Sequence, residues 1–295
     1  MGVKSMASKQ EGPAAGSSDY VRFIVLAEAR TGSNMLARAL NSNPSITCFN
    51  EIFNFAFDAI LYAVEGYDGS NAQDQALRKQ DFRAFLRERI YCRHPEEIGA
   101  VGWKLLYRQC WGYPGLLEHL VEDREICVLH LRRRNVLKRL VSLKLAEATG
   151  VWADLPKPRP QLTLAMVLRA ARRPLRAATK LPKLMQLAKP RQKAPGLRVS
   201  VSKDELFKSI IVAKSTAARF DDLFRDHQIL TLFYEELVEH REEVFCQVQE
   251  FLGVEPGLLT VNLVKQNPEP LPELLENYDE LFEAYRYSKH AWMFD

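Results

Sequence analysis

Short continuous apolar runs alternate along this chain with stretches whose apolar residues recur every three or four positions. Val21 to Ala27 is a β-branched, aliphatic and aromatic run of strand length. A turn-rich loop from Glu28 to Ser33 separates it from a helical pattern, with Met35, Leu36, Ala39 and Leu40 on one face, that ends near Asn43-Pro44. Ile46 to Phe49 reads as a second strand leading into Asn50-Glu51. Phe57 to Cys92 reads as helical with a break at Gly66 to Asn71. Gly99 to Tyr107 reads as a strand and Pro114 to Val121 as a short helix. Glu125 to Leu131 is a further buried strand, followed by a helix from about Asn135 to Ala148. A short strand is expected at Leu197 to Val201, a long helix at Lys203 to Asp226 and a strand at Gln228 to Tyr234. The last expected helix runs from Glu236 to Leu252 and is closed by Gly253. Strands alternating with helices predict an α/β fold, a mostly parallel central sheet flanked by helices. The expected organisation is a flexible tail over residues 1–18 and a single domain over 19–295.

Composition changes this picture in one place. Residues 155–203 carry 13 Lys and Arg, no acidic residue and seven prolines, which leaves 28 basic against 37 acidic residues elsewhere. This basic, Pro-rich insert has Leu164, Val167, Leu168, Ala171 and Leu175 at helical spacing, so it reads either as an amphipathic lid that meets an acidic acceptor or a membrane surface, or as a solvated insert. It lacks interleaved aromatic residues, so nucleic acid is not the expected partner. No apolar run reaches the roughly 18 residues that a membrane span needs. Five scattered cysteines without a C-x-x-C pair point to neither a disulfide framework nor a zinc site, and fit the cytoplasm. Cys127 and Cys246 read as small buried hydrophobes.

Candidate chemistry sits where the first strand meets the first helix. Backbone N–H groups of Thr31, Gly32, Ser33 and Asn34 would converge on one anion there, beside the fixed charge of Arg30. Many α/β proteins have a Gly-Ser turn after their first strand, so this loop alone equally supports a purely structural role. It is not a Walker A loop, since Gly32 is followed by Ser-Asn-Met. A second basic group, Arg132-Arg133-Arg134-Asn135, precedes a helix that carries Ser142. Arg134 stands about 12 Å of helix rise before Ser142, within reach of a folded-back guanidinium, so the two side chains suit one shared phosphate.

Taken together, these segments resemble the PAPS-dependent sulfotransferases. Arg30-Thr-Gly-Ser-Asn34, with Met35 after it, is similar to that family's 5′-phosphosulfate loop. Arg134-Asn-Val-Leu-Lys-Arg-Leu-Val-Ser142 is similar to its 3′-phosphate motif, with the same Arg-to-Ser spacing. Phe49-Asn-Glu-Ile-Phe53, Val101-Gly-Trp-Lys104, Tyr234-Glu-Glu-Leu237, Phe251-Leu-Gly-Val254 and Lys265-Gln-Asn-Pro268 also look like family segments. The resemblance implies a fold related to P-loop nucleotide kinases. It also implies transfer of a sulfuryl group from 3′-phosphoadenylyl sulfate (PAPS), leaving 3′-phosphoadenosine 5′-phosphate (PAP), with no metal required. Lys265 and Asn267 would touch the nucleotide.

Many cytosolic members place a catalytic His two residues after a Lys that resembles Lys104, but Leu106 stands there. The chain is therefore closer to bacterial-type members with a carboxylate base. Glu51 is the candidate base, with Arg30 and Lys104 at the transferred group. As isolated residues, Glu51 equally suits a surface or helix-capping position, and Lys104 a snorkelling edge residue. His130, inside a strand, reads as a hydrogen-bonded core histidine. The acceptor class is a small molecule, lipid or glycan bearing a hydroxyl or amine. Phe53, Phe55, Phe57, Trp111 and Trp152 suit either an acceptor pocket or the core. Two other readings remain open: a nucleotide or small-molecule kinase on the same fold, and a non-catalytic nucleotide-binding protein. Oligomeric state is not legible.

Overall fold

A computed structural model describes residues 19–55, 59–62, 64–152, 196–261 and 267–295. Lys265, Phe57 and most of the basic insert lie outside the described residues. The chain divides into two compact units, Met1–Arg132 with Ala218–Val261, and Arg133–Ala217 with Asn262–Asp295.

The first unit is built on a five-stranded sheet. Its strands are β1 (Val21–Ala27), β2 (Ile46–Phe49), β3 (Ala100–Leu106), β4 (Cys127–Arg132) and β5 (Ile229–Phe233), in the order β2-β3-β1-β4-β5. Every pairing is parallel, so each connection must cross over a face and the strands are buried on both sides. The residues of β1 alternate accordingly. Phe23, Val25 and Ala27 pack with α1 (Ser33–Leu40) and with Leu237, Val244 and Val248 from after β5. Ile24 and Leu26 pack on the opposite face with Phe85, Leu116 and Phe224. Gly102, on the face between Ala100 and Lys104, is required by contact: a Cβ there would lie 2.4 Å from the Phe23 carbonyl oxygen and 2.5 Å from its ring.

Between β2 and β3 the structure departs from the pattern. Among the described residues, helix begins at α2 (Ala72–Gln80), followed by α3 (Phe82–Phe85) and one π-turn (Leu86–Ile90). The described residues before Ala72 form a loop closed by the Ile60 N–H on the Gly69 carbonyl (2.8 Å). Its aromatic side chains, Tyr62 and Tyr67, pack edge-on against Phe49, so the apolar spacing serves a ring cluster and not a helix face. A short 3₁₀ turn (Tyr107–Trp111) and α4 (Leu116–Glu122) follow β3.

The second unit has its own core. Val136, Leu137, Leu140 and Val141 of α5 (Val136–Thr149) pack with Leu206 and Ile210 of α6 (Lys203–Leu223) and with Leu274, Leu281 and Phe294. Asn135 caps α5, accepting the Lys138 N–H at 2.8 Å, and donates to the Met293 carbonyl at 2.8 Å. The strand expected at Leu197 to Val201 is reduced to one bridge, Val199 to Leu275. The helix expected from Glu236 is two, α7 (Tyr234–Glu239) and α8 (Arg241–Phe251), parted at His240, whose ψ of 44° is not helical. Cys127 is buried as expected, whereas Cys246 is only half-buried. No helix among the described residues is long and apolar enough to cross a membrane.

Because a Cβ on Gly102 would meet backbone as well as a ring, Gly102→Ala is expected to destabilise the fold by about 1–3 kcal/mol, read as a lower urea midpoint at unchanged slope.

Candidate active site

The loop after β1 is shaped by two residues in the left-handed region. Arg30 has φ 68° and is the only non-glycine residue with positive φ among the described residues; Gly32 follows at φ 91°. For an L-residue this conformation costs roughly 1–2 kcal/mol. Gly32 is the N-cap of α1, and the N–H groups of Met35 and Leu36 bond its carbonyl at 2.9 and 3.1 Å. The first N–H groups of a helix have no acceptor within it, so the loop end of α1 offers donors and the positive end of its dipole. The Thr31 hydroxyl turns inward, donating to the Glu28 carbonyl at 2.8 Å, which leaves backbone as that residue's contribution to an anion. A Cβ on Gly32 would come within 2.6 Å of the Tyr234 ring, so the first residue of α7 braces the loop from behind.

Lys104 reaches this loop from β3. The strand is interior, flanked by β2 and β1, and Lys104 is 1% exposed, so it is not the edge residue that its apolar surroundings equally suited. Its ammonium donates to Oδ1 of Asn34 in the first turn of α1 and lies 2.8 Å from Oε1 of Glu51. Glu51 stands two residues past the end of β2, in a turn held from below by the buried Arg78, which donates to the Ile52 carbonyl at 2.7 Å. Its other oxygen, Oε2, accepts from Asn54 Nδ2 and Gln109 Nε2, each at 2.6 Å. Glu51 is thus neither a cap nor a surface residue.

Burial alone would raise the Glu51 carboxyl. The Lys104 charge and the three donated hydrogen bonds outweigh burial and hold it below the ordinary glutamate value, so it is ionised at neutral pH. For Lys104 burial is the larger influence, with Arg30 adding to it, and the ammonium is pushed down despite Glu51.

A second polar group occupies the other face of the sheet. The Tyr107 hydroxyl meets Nε2 of His130 at 2.6 Å; Nδ1 faces both Arg132 (2.9 Å) and Asp221 (3.0 Å). Burial, with Arg132 beside it, pushes His130 down to about 4, so the ring is neutral at physiological pH. His130 is the hydrogen-bonded core histidine that its position in a strand predicts. Leu106, two residues after Lys104, is core as well.

In the second unit Ser142 is buried on α5, and its Oγ accepts from Asn267 Nδ2 at 3.3 Å, so two of the expected nucleotide residues meet. Arg134 is exposed just ahead of α5. Of the aromatic candidates, Phe53 is core, whereas Phe55 and Trp111 are exposed. Among the described residues there is no group of three or more His, Cys, Asp or Glu able to hold a metal ion.

The loop Arg30 to Asn34 thus runs into the start of α1, and Arg134 stands just ahead of α5, whose seventh residue is Ser142. The chain is also 24% identical over 278 residues to nodulation protein H of Rhizobium tropici, covering 92% of each protein. The chain is thus similar, over nearly its whole length, to a protein of that kind. Among solved structures, a sulfotransferase from Alicyclobacillus acidocaldarius is similar at 16% identity and a TM-score of 0.42, over 92% of this chain and 93% of that one. No family model matches. Sequence reasoning missed Asn54 and Gln109. Their one sequence signal is that each is an uncharged polar residue amid apolar and aromatic neighbours.

The Glu51–Lys104 pair has a measurable linkage. The Glu51 value in the folded protein lies below that in the unfolded chain, so its contribution is complete above the ordinary glutamate value and is lost as pH falls through the lowered one. Glu51→Gln, which strands a buried ammonium, is expected to lower stability by about 3 kcal/mol at neutral pH. Denaturant unfolding of both proteins down the acid range should show that gap closing; a gap independent of pH would refute the assignment.

Proposed function

We propose that this sulfotransferase moves the sulfuryl group of PAPS to a hydroxyl or amine of a small-molecule, lipid or glycan acceptor, with Glu51 as general base. The observation that carries this reading is the buried Asn34–Lys104–Glu51 chain, which joins an anion-binding helix start to an ionised carboxylate. Arg30, the amides of Thr31 to Asn34 and Lys104 supply the positive field for a phosphosulfate. The resemblance of the Arg134–Ser142 segment to a 3′-phosphate motif supports assigning Arg134, Ser142 and Asn267 to that phosphate.

In the step itself, Glu51 takes the proton of the acceptor as its oxygen or nitrogen bonds to sulfur. The S–O bond to the 5′-phosphate breaks, and its electron pair leaves on the phosphate of PAP. The transferred group carries less charge than a phosphoryl group, so Lys104, Arg30 and backbone donors suffice to stabilise it, and no metal is assigned a role. Lys104 has a double duty: it keeps Glu51 ionised before the donor arrives, and then shares its ammonium with the sulfuryl oxygens. The core position of Leu106 favours Glu51 over a histidine base at that point of β3. The excess of basic residues in 155–203 favours an acidic acceptor or a lipid surface as the contact of that segment, and the cytoplasm is the proposed location.

Thermal unfolding tests the donor. PAP at a hundred times its dissociation constant should stabilise the protein by about 2.7 kcal/mol, a rise of roughly 5–10 °C, whereas 5′-AMP, ADP and ATP should not. The rise should vanish in Arg134→Ala. A shift with ATP instead of PAP would move the assignment to a kinase.

The base is tested by turnover of PAPS. Glu51→Gln should lose at least about 100-fold, in line with the usual contribution of a positioned base, and Glu51→Asp should retain part of the activity. Turnover of Glu51→Gln near the wild-type rate would dismiss Glu51.

A further inference from the structure

The two oxygens of Glu51 are held in unequal ways. Oε2 accepts from two side-chain amides, Asn54 Nδ2 and Gln109 Nε2, both at 2.6 Å. Oε1 meets the Lys104 ammonium at 2.8 Å. A carboxylate oxygen has two in-plane lone pairs, so two donors fill the capacity of Oε2.

The amides are fixed where the ammonium is not. Gln109 is fully buried in the 3₁₀ turn after β3, and its Oε1 accepts the Leu106 N–H at 3.0 Å. That bond requires the carbonyl end of the amide to face the backbone, so the NH₂ end must face Glu51. Asn54 is 4% exposed and is placed by its own backbone N–H on the Glu51 carbonyl at 3.1 Å. Lys104, by contrast, ends a flexible stem with three donors, already divided between Glu51 and Asn34. It can turn from one anion to another without disturbing the backbone.

Resting on the sulfuryl-transfer reading above, we propose that Asn54 and Gln109 are positioning residues: their amides saturate Oε2 of Glu51, so that the acceptor's proton goes to Oε1. Protonation at Oε2 would break a contact to a braced amide. Protonation at Oε1 displaces only Lys104, whose charge is then available to the departing 5′-phosphate of PAP. The clamp therefore fixes which edge of the carboxylate the acceptor approaches, and it ties proton uptake to movement of the lysine. Besides Lys104, the groups that bear on the pair are Arg30 from the loop and the Cys48 thiol of β2. Burial pushes that thiol up to about 12, so it stays neutral.

Gln109→Met keeps the length and burial of the side chain and removes the amide. The probe is PAPS with water as acceptor, which gives PAP and sulfate and needs no knowledge of the natural acceptor. Relative to wild type, the variant should lose about tenfold or more in kcat at unchanged KM for PAPS, as expected for a misplaced group. The acid limb of its kcat profile should move to higher pH, because the carboxylate has lost a donor. A residue that only supports the fold would lower the unfolding temperature and leave that limb in place, which would overturn the proposal. If Gln109→Met does not fold, Asn54→Ala removes the other donor and should move the limb the same way.

Where water turnover is too slow to follow, the ¹³C carboxyl resonance that is absent from Glu51→Gln reports the Glu51 titration directly. Its midpoint should rise in Gln109→Met; an unchanged midpoint sinks the clamp. The two readings separate cleanly. Wild-type turnover by Glu51→Gln removes the base and with it the proposed reaction path. An inactive Glu51→Gln beside Gln109→Met and Asn54→Ala with wild-type profiles removes the clamp alone.

Discussion

One buried ion pair organises the first unit. Lys104 cannot keep its charge in an interior strand without an anion against it, and Glu51 cannot remain ionised at its depth without a cation and donors. Each of the surrounding features serves that mutual dependence. Parallel register brings the end of β2 level with the middle of β3, with Phe49 opposite Trp103, so the turn after β2 folds over Lys104. Gly102 lets β3 lie against Phe23 while carrying the lysine on the α1 face. Asn34 shares the ammonium with Glu51 and thereby joins the helix start to the carboxylate. A charge pair buried in this way contributes little net stability. What it does is hold two opposite charges beside the loop end of α1.

Much of this arrangement was legible in the amino-acid sequence because it depends on local chemistry. The five strands of the sheet follow from continuous apolar runs, and the order of strands and helices predicts their parallel pairing. The turn between β1 and α1 shows in the small residues between Ala27 and Met35. The cap of α5 shows in Asn135 at the head of an apolar-periodic segment.

What was not legible depends on contacts between distant segments. Glu51 and Gln109 are separated by α2, α3 and all of β3, so no spacing rule connects them. The same holds for His130 and Asp221. The stretch ahead of Ala72 has helical spacing but spends Tyr62 and Tyr67 on a ring cluster with Phe49, which no periodicity distinguishes from a buried helix face. His240 is an ordinary polar residue in sequence, and only the backbone shows that it parts two helices. Arg30 in the left-handed region is equally silent, because a glycine would mark such a turn and an arginine conceals it.

The contact of Tyr234 with Gly32 has a consequence for how the protein is made. The loop lies near the start of the chain, while the ring that braces it opens α7, after the last strand of the sheet. A nascent chain that has emerged only through β4 holds every residue of the loop but not the wall behind it. The braced shape of the loop is thus finished when β5 docks on β4 and carries Tyr234 into place. Until then the loop lacks the ring that stands behind Gly32 in the folded protein.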